Sequence, residues 1–320
     1  MNERFDPVAQ RPTASSSSII AIALAIVALL ASGILLARQR SSASISVPTD
    51  RWARIKQSGI LRAGYGGYPP YTIISTKGGS IGPPVTGFSV DLVNAIASRT
   101  SPALKVEWHQ FSFDTMKPDL DADRFDFIAD PVFMTIPRTA DFAFSVPYSY
   151  FGIAVGLVRA NENRFKTFSD LDRPGVTIVL AEGWTSSDFA RANLKQPTLK
   201  SVPVTGDATS QLDEVLTGRA DVALNDVPTV LQYVRAHPGQ VKALWLEAPP
   251  SSVAGAFVMR EGDERLRDFL TASIQVLQAD GTIDQIDKKW RSLGFFPSLQ
   301  LRPGAGIRGT GAAQGGAVIR

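Results

Sequence analysis

Arg138 ends the phrase Thr135-Ile136-Pro137-Arg138, which follows directly on an apolar run. A planar guanidinium there offers two parallel N–H donors, the geometry that matches a carboxylate. As a residue type alone it reads first as a surface or packing arginine. Asp226 stands where a strand candidate gives way to a helix beginning near Val227, the usual place of an N-cap carboxylate. Gly183-Trp184-Thr185-Ser186 forms a turn from strand to helix. A helix start carries unpaired N–H donors and partial positive charge, so this turn suits an anion. Thr185 with Asp188 three residues later equally suits plain capping. Tyr68, in Tyr68-Pro69-Pro70-Tyr71, and Phe113 are aromatic faces that either fill a core or stack on a ligand.

Other chemistries lack their residues. There is no cysteine, which removes thiol nucleophiles, disulfides and cysteine zinc sites together. The two histidines, His109 and His237, lie in different segments, so no metal site or Ser-His-Asp triad is expected. The formal net charge is +3, and no basic stripe interleaves with aromatics, so nucleic acid is not an expected partner. No cofactor is implied.

These side chains need a scaffold, and the order of elements supplies one. Residues 1–18 are polar. Residues 19–37 form an uncharged apolar run of about the length that spans a bilayer as a helix. The run reads as an uncleaved signal anchor, with cleavage near Ser41–Ala43 as the alternative. Arg38 and Arg40 come directly after it, against Arg4 and Arg11 before it, so the positive-inside rule mildly opposes export of the remaining chain. After a linker over 38–50, short apolar strand candidates alternate with amphipathic helices to about residue 300. Strands are expected at 60–63, 125–129, 153–158, 176–180 and 221–224. Helices are expected at 89–99 with Ser89 as N-cap, 185–194, 227–236, 263–279 and 282–291. Such alternation predicts α/β layers. Residues 301–320, rich in glycine, read as a flexible tail.

Several phrases, in order, give the chain a resemblance. They are GILRAGYGGYPPY at 59–71, TGFSVDLVNAIASR at 86–99, DRFDFIAD at 123–130 and MTIPRTADFAFSVPY at 134–148. FKTFSDLDRPGVTIVLAEGWTS at 165–186, GRADVALND at 218–226 and LQADGTIDQIDKKW at 277–290 complete the series. Together they resemble the family-3 extracellular solute-binding proteins, the amino-acid receptors of ABC importers. The resemblance implies a type II periplasmic-binding fold with two α/β lobes joined by two crossing strands. One lobe would comprise 51–150 plus 254–300, the other 151–253. It further implies that Arg138, with Thr135 in its phrase, grips a ligand α-carboxylate. Asp226 would accept the α-ammonium, Thr185 and the Gly183–Ser186 turn would share the carboxylate, and Tyr68 and Phe113 would sandwich the side chain. Trp184 replaces a usual small residue and either walls the cleft or covers its lobe.

One stretch departs from the family pattern. Ala129-Asp130-Pro131-Val132-Phe133 stands where small hydroxyl or glycine residues normally help hold the carboxylate. Asp130 is open to three readings: an ion pair with Arg138, a contact to a cationic ligand group, or a place in solvent. Tyr65 stands where relatives that bind basic amino acids carry an acid. The function implied is capture of a small amino-acid-like ligand outside the cytoplasm, with an ABC permease as partner and residues 19–37 in the membrane. Two alternatives stay open. One is a dehydratase of the cyclohexadienyl type, which uses the same fold and would draw a general acid from Asp130, Asp226 or Glu182. The other is a membrane-tethered ligand sensor.

Overall fold

The computed structural model describes residues 50–74, 85–203 and 209–293. The apolar segment at 19–37 and the tail at 301–320 lie outside the described residues. Among the described residues, no helix is long and apolar enough to cross a membrane.

A helix at Arg51–Ser58 leads into β1 (Ile60–Tyr65). The paired short strands β2 (Ile73–Ile74) and β3 (Val85–Thr86) come after it, then a helix at Phe88–Ser98 and β4 (Lys105–Gln110). Next come β5 (Phe127–Phe133), a single helical turn at Ile136–Thr139, β6 (Phe142–Phe144) and β7 (Ser149–Ile153). The chain then builds β8 (Val155–Arg159), β9 (Thr177–Ala181), β10 (Thr198–Val202), β11 (Val222–Asn225) and β12 (Val241–Leu244). Helices at Thr185–Asn193, Ser210–Leu216 and Val227–Ala236 lie among them. The ten-residue β13 (Ser251–Arg260) returns, and helices at Glu264–Ala279 and Thr282–Ser292 close the described chain.

Two sheets result. The first has the order β4-β1-β5-β13-β6, with β7 also paired to β13. β1 runs parallel to β4 and β5, whereas β13 is antiparallel to β5, β6 and β7. The second has the order β10-β9-β11-β8-β12. The chain passes from first sheet to second through β7 and comes back through β13. These two strands pair with each other from Ile153↔Ser251 to Ser149↔Gly255, so both connections form one two-stranded crossing.

Period-two alternation explains why the second sheet takes helices on both faces. Val155, Leu157, Val179 and Ala223 enter one buried cluster with Leu212 and Val230. Their strand neighbours Val158, Ile178, Leu180, Val222 and Leu224 enter another, with Ala190 and Leu194. Strands buried on both faces need such continuous apolar runs. The first sheet buries Leu61, Phe127 and Phe257 against Phe88, Leu270 and Trp290. Arg51, only 3% exposed, pins the first helix to this half, with its guanidinium 2.8 Å from Asp263 and 2.9 Å from Asp123.

Two local expectations are corrected. Ser89 does not cap its helix. Gly87 is the cap residue, and the carbonyls of Pro70 and Tyr71 accept from the Phe88 and Ser89 amides at 3.0 Å, leaving the Ser89 hydroxyl for Tyr148. The strand expected over 153–158 breaks at Ala154, whose φ of 59° ends β7 and starts β8. The Ala154 amide, out of the ladder, donates instead to Ser186 Oγ at 3.1 Å.

Candidate ligand-binding site

Arg138 sits in the helical turn after β5, capped by Thr135, whose hydroxyl accepts from the Arg138 amide at 3.4 Å. Its guanidinium is half-buried, and Nη1 donates to the Phe133 carbonyl at 3.1 Å. Among the described residues that is the guanidinium's only hydrogen bond, and no carboxylate of theirs lies within ion-pair distance. Burial pushes the Arg138 pKa down from its ordinary value, and Asp188 opposes that shift. An arginine short of an anion in a partly dry setting favours an incoming carboxylate.

Asp188 belongs to the first turn of the helix at Thr185–Asn193, so Arg138 lies within electrostatic reach of that turn. The capping expected of Thr185 is not what the structure holds. Trp184, half-buried, is the cap residue and makes no side-chain cap bond. Ser187 Oγ donates to the Ala181 carbonyl at 2.6 Å, and Ser186 Oγ accepts from Ala154. Of the three consecutive hydroxyls, only that of Thr185 is buried without a partner among the described residues. A free hydroxyl beside unpaired helix N–H groups is suited to an anion.

Asp226 does two things at once. It is 2% exposed and caps the helix at Val227–Ala236, Oδ1 accepting from the Thr229 amide at 2.9 Å. The Tyr68 phenol also lies close enough to interact with its carboxylate. Tyr68 precedes β2 beside the first sheet and Asp226 comes after β11 of the second, so the two halves meet here. Burial raises the Asp226 pKa, against the Thr229 donor and the nearby Tyr68 phenol. Asn225 beside it is fully buried, its Oδ1 accepting from the Asp226 amide at 2.8 Å while Nδ2 has no partner among the described residues.

Tyr68 and Phe113 lie together, their centroids 6.4 Å apart and edge to face. Phe113 remains 42% exposed and lies over the backbone of Gly66, where an added Cβ would come within 2.7 Å of its ring. Phe133 and Phe151, 4.9 Å apart, extend the aromatic wall from Tyr68.

Asp130 takes neither the solvent position nor the ion pair considered from sequence. It is fully buried on β5 and does not pair with Arg138. Oδ2 accepts from the Gly66 amide at 2.5 Å, and Oδ1 accepts a short hydrogen bond from the Thr72 hydroxyl. Burial raises its pKa to about 7 against both donors. Thr72 escaped sequence reasoning, although it directly succeeds the Pro-Pro-Tyr turn. Glu182 is exposed, and Asp221 serves the strand edge, accepting from the Thr177 amide and Arg164.

The model of the bacterial extracellular solute-binding proteins, family 3, matches residues 61–293. The chain belongs to that family. Proteins similar to it include the cyclohexadienyl dehydratase of Pseudomonas aeruginosa, 29% identical over 84% of this chain and 92% of that one. An L-cystine-binding protein of Bacillus subtilis is 28% identical over 75% of this chain and 84% of its own. Among solved structures, an ancestral amino acid-binding protein described as a precursor of cyclohexadienyl dehydratase shares 26% identity. Its TM-score is 0.63, covering 76% of this chain and 99% of that one. A mutant of an arginine-binding protein from T. maritima gives 27% identity and a TM-score of 0.62 over 75% and 98%. This is the α/β type II periplasmic-binding fold on which family 3 of the extracellular solute-binding proteins is built.

Proposed function

We propose that the protein captures a small amino carboxylate between its two halves and passes it to an ABC importer on the outer side of a membrane. The observation that carries this reading is the half-buried guanidinium of Arg138, which no carboxylate among the described residues pairs and which lies within electrostatic reach of the Thr185 helix and its free hydroxyl. The ligand carboxylate would bridge Arg138 and Thr185, with Thr135 holding the arginine's turn. Its ammonium would sit at Asp226, the cleft acid near the aromatic wall, and its side chain against Tyr68, Phe113 and Trp184. Residues 19–37 would tether the protein to the membrane, a reading supported by their apolar sequence.

Thermal unfolding against amino acids, opines, polyamines and small carboxylates tests it. A ligand at about 100 times its dissociation constant adds roughly 2.7 kcal/mol of stability. The expected result is a rise in Tm with one amino-acid class, abolished in Arg138→Ala, which loses charge-assisted hydrogen bonds of roughly 1.5–3 kcal/mol each. A rise that ignores Arg138 would overturn the assignment.

A second reading, a dehydratase, has the Pseudomonas relative and the raised pKa values of Asp130 and Asp226 in its favour. Binding comes first because both acids are already engaged, Asp130 by Gly66 and Thr72 and Asp226 by Thr229. Loss of the ring carboxylate from prephenate, followed by absorbance, separates the two readings.

A further inference from the structure

We propose that Asp130 is a positioning residue, which holds the loop from Gly66 to Thr72, and with it Tyr68, by accepting hydrogen bonds from both ends of that loop. The inference rests on reading this cleft as a ligand site, and it assigns Asp130 no contact with ligand.

The loop begins with two glycines, Gly67 at φ 78°, so its entry carries little rigidity of its own. Within it, the Tyr68 carbonyl accepts from the amides of Tyr71 at 2.8 Å and Thr72 at 3.1 Å, closing a turn. The Tyr68 amide donates to Thr72 Oγ1 at 3.0 Å, and that same hydroxyl donates to Asp130. The second oxygen of Asp130 takes the Gly66 amide at the loop's other end. One carboxylate thus reaches Tyr68 from both sides, by Gly66 two residues before it and through Thr72 to its own amide.

The anchor itself is rigid. β5 lies between β1 and β13 in the first sheet, with Asp130 fully buried in it. No cation among the described residues pairs with it. Besides Thr72 and the Gly66 amide, the titratable groups that feel its charge are the phenols of Tyr68 and Tyr148, and the Tyr148 hydroxyl donates to the neighbouring Ala129 carbonyl. A buried carboxylate without a counter-ion is costly. An apolar side chain at 130 would avoid that cost but could hold neither donor.

The test compares the full-length protein with Asp130→Ala, Asp130→Asn and Thr72→Val. Hydrogen exchange without ligand comes first. Asp130→Ala should speed exchange at the Gly66 and Tyr68 amides about tenfold or more while leaving β9 and β11 unchanged, and Asn, which still offers an acceptor and a donor, should restore most of the protection. Thr72→Val cuts only the relay, so it should free the Tyr68 amide even if the alanine variant folds poorly. Unchanged exchange, or acceleration spread evenly through β1, β5 and β13, overturns the proposal.

Affinity for L-arginine, L-lysine, L-glutamine and L-cystine is then measured. For whichever of them the wild type binds, Asp130→Ala should weaken binding about tenfold, and the loss should largely vanish in a Tyr68→Ala background. Full additivity would mean that Asp130 acts apart from Tyr68, and the proposal fails. If the wild type binds none of the four, the reading of the cleft for these ligands fails, and exchange at Gly66 and Tyr68 still decides the role of Asp130.

Discussion

At the scale of single residues, the buried acids give the protein an unusual response to pH. Asp130 has a pKa raised to about 7, against an ordinary value of 3.8, because its charge is desolvated. The folded chain therefore binds this proton more tightly than the unfolded chain does. Stability from this group is fully present below about pH 4, declines as pH rises from 4 to 7, and levels off above. The gap corresponds to roughly 4 kcal/mol. Asp226 acts in the same sense. Glu162, Glu214 and Asp280 have pKa values lowered to about 2 by their hydrogen-bond donors, so they withdraw support only at acidic pH. Urea unfolding should show greatest stability near pH 5, with a fall toward pH 8 that flattens in Asp130→Asn. A wild-type profile that rises from pH 5 to 8 would show that Asp130 ionises without cost. Sequence made Asp130 conspicuous but could not place it. Its partners lie 64 and 58 residues away, and only the folded β1–β5 pairing brings them to it. Arg138, Asp226 and Thr185 drew ligand roles from the family resemblance, and each follows an apolar run, near the strand ends where such a fold presents polar groups.

At the scale of elements, what the periodicity conveyed was the internal order of helices and strands, and what it missed was how those with non-local caps begin. The helix at Val227–Ala236 ends where its pattern does, and its cap is a local aspartate. The helix at Phe88–Ser98 takes its cap from loop carbonyls of Pro70 and Tyr71, a tertiary contact that no local pattern encodes. Gly87 makes that contact feasible. Its φ is 144°, and a Cβ there would lie 2.0 Å from the Tyr71 carbonyl oxygen. Gly183, before the Thr185 helix, has φ 73°, but a Cβ added there would meet nothing within 4 Å. Gly183→Ala should therefore cost only the left-handed backbone penalty, about 1–2 kcal/mol. Gly87→Ala must also shift backbone against backbone and should cost roughly 3 kcal/mol or more. For a chain this long each kcal/mol moves Tm by about 2–4 °C. Equal Tm losses in the two variants would show that the loop carrying Tyr68 yields freely, contrary to its close packing on Gly87.

At the scale of the whole molecule, the crossing of β7 and β13 is the joint on which the proposed binding would act. Its pairing joins residues about a hundred positions apart, which is why the alternation of elements indicated α/β layers but did not reveal the long return strand. Beyond the joint, Tyr68 of one half lies beside Asp226 of the other, so the structure is in an arrangement where a ligand would touch both. A ligand that contacts both halves stabilises only the closed form, and free protein should spread over a wider range of separations. The absence of cysteine allows this to be measured directly. Spin labels at Ala140→Cys and Ala192→Cys sit on exposed alanines, one beside the Arg138 turn and one on the Thr185 helix. Saturating ligand should narrow the distance distribution and move it to the short side, and Arg138→Ala should retain the broad one. A single narrow distribution before and after ligand would mean that the protein is held closed without cargo. Ligand would then have to enter by local opening of the loop that Asp130 secures rather than by movement about the crossing strands.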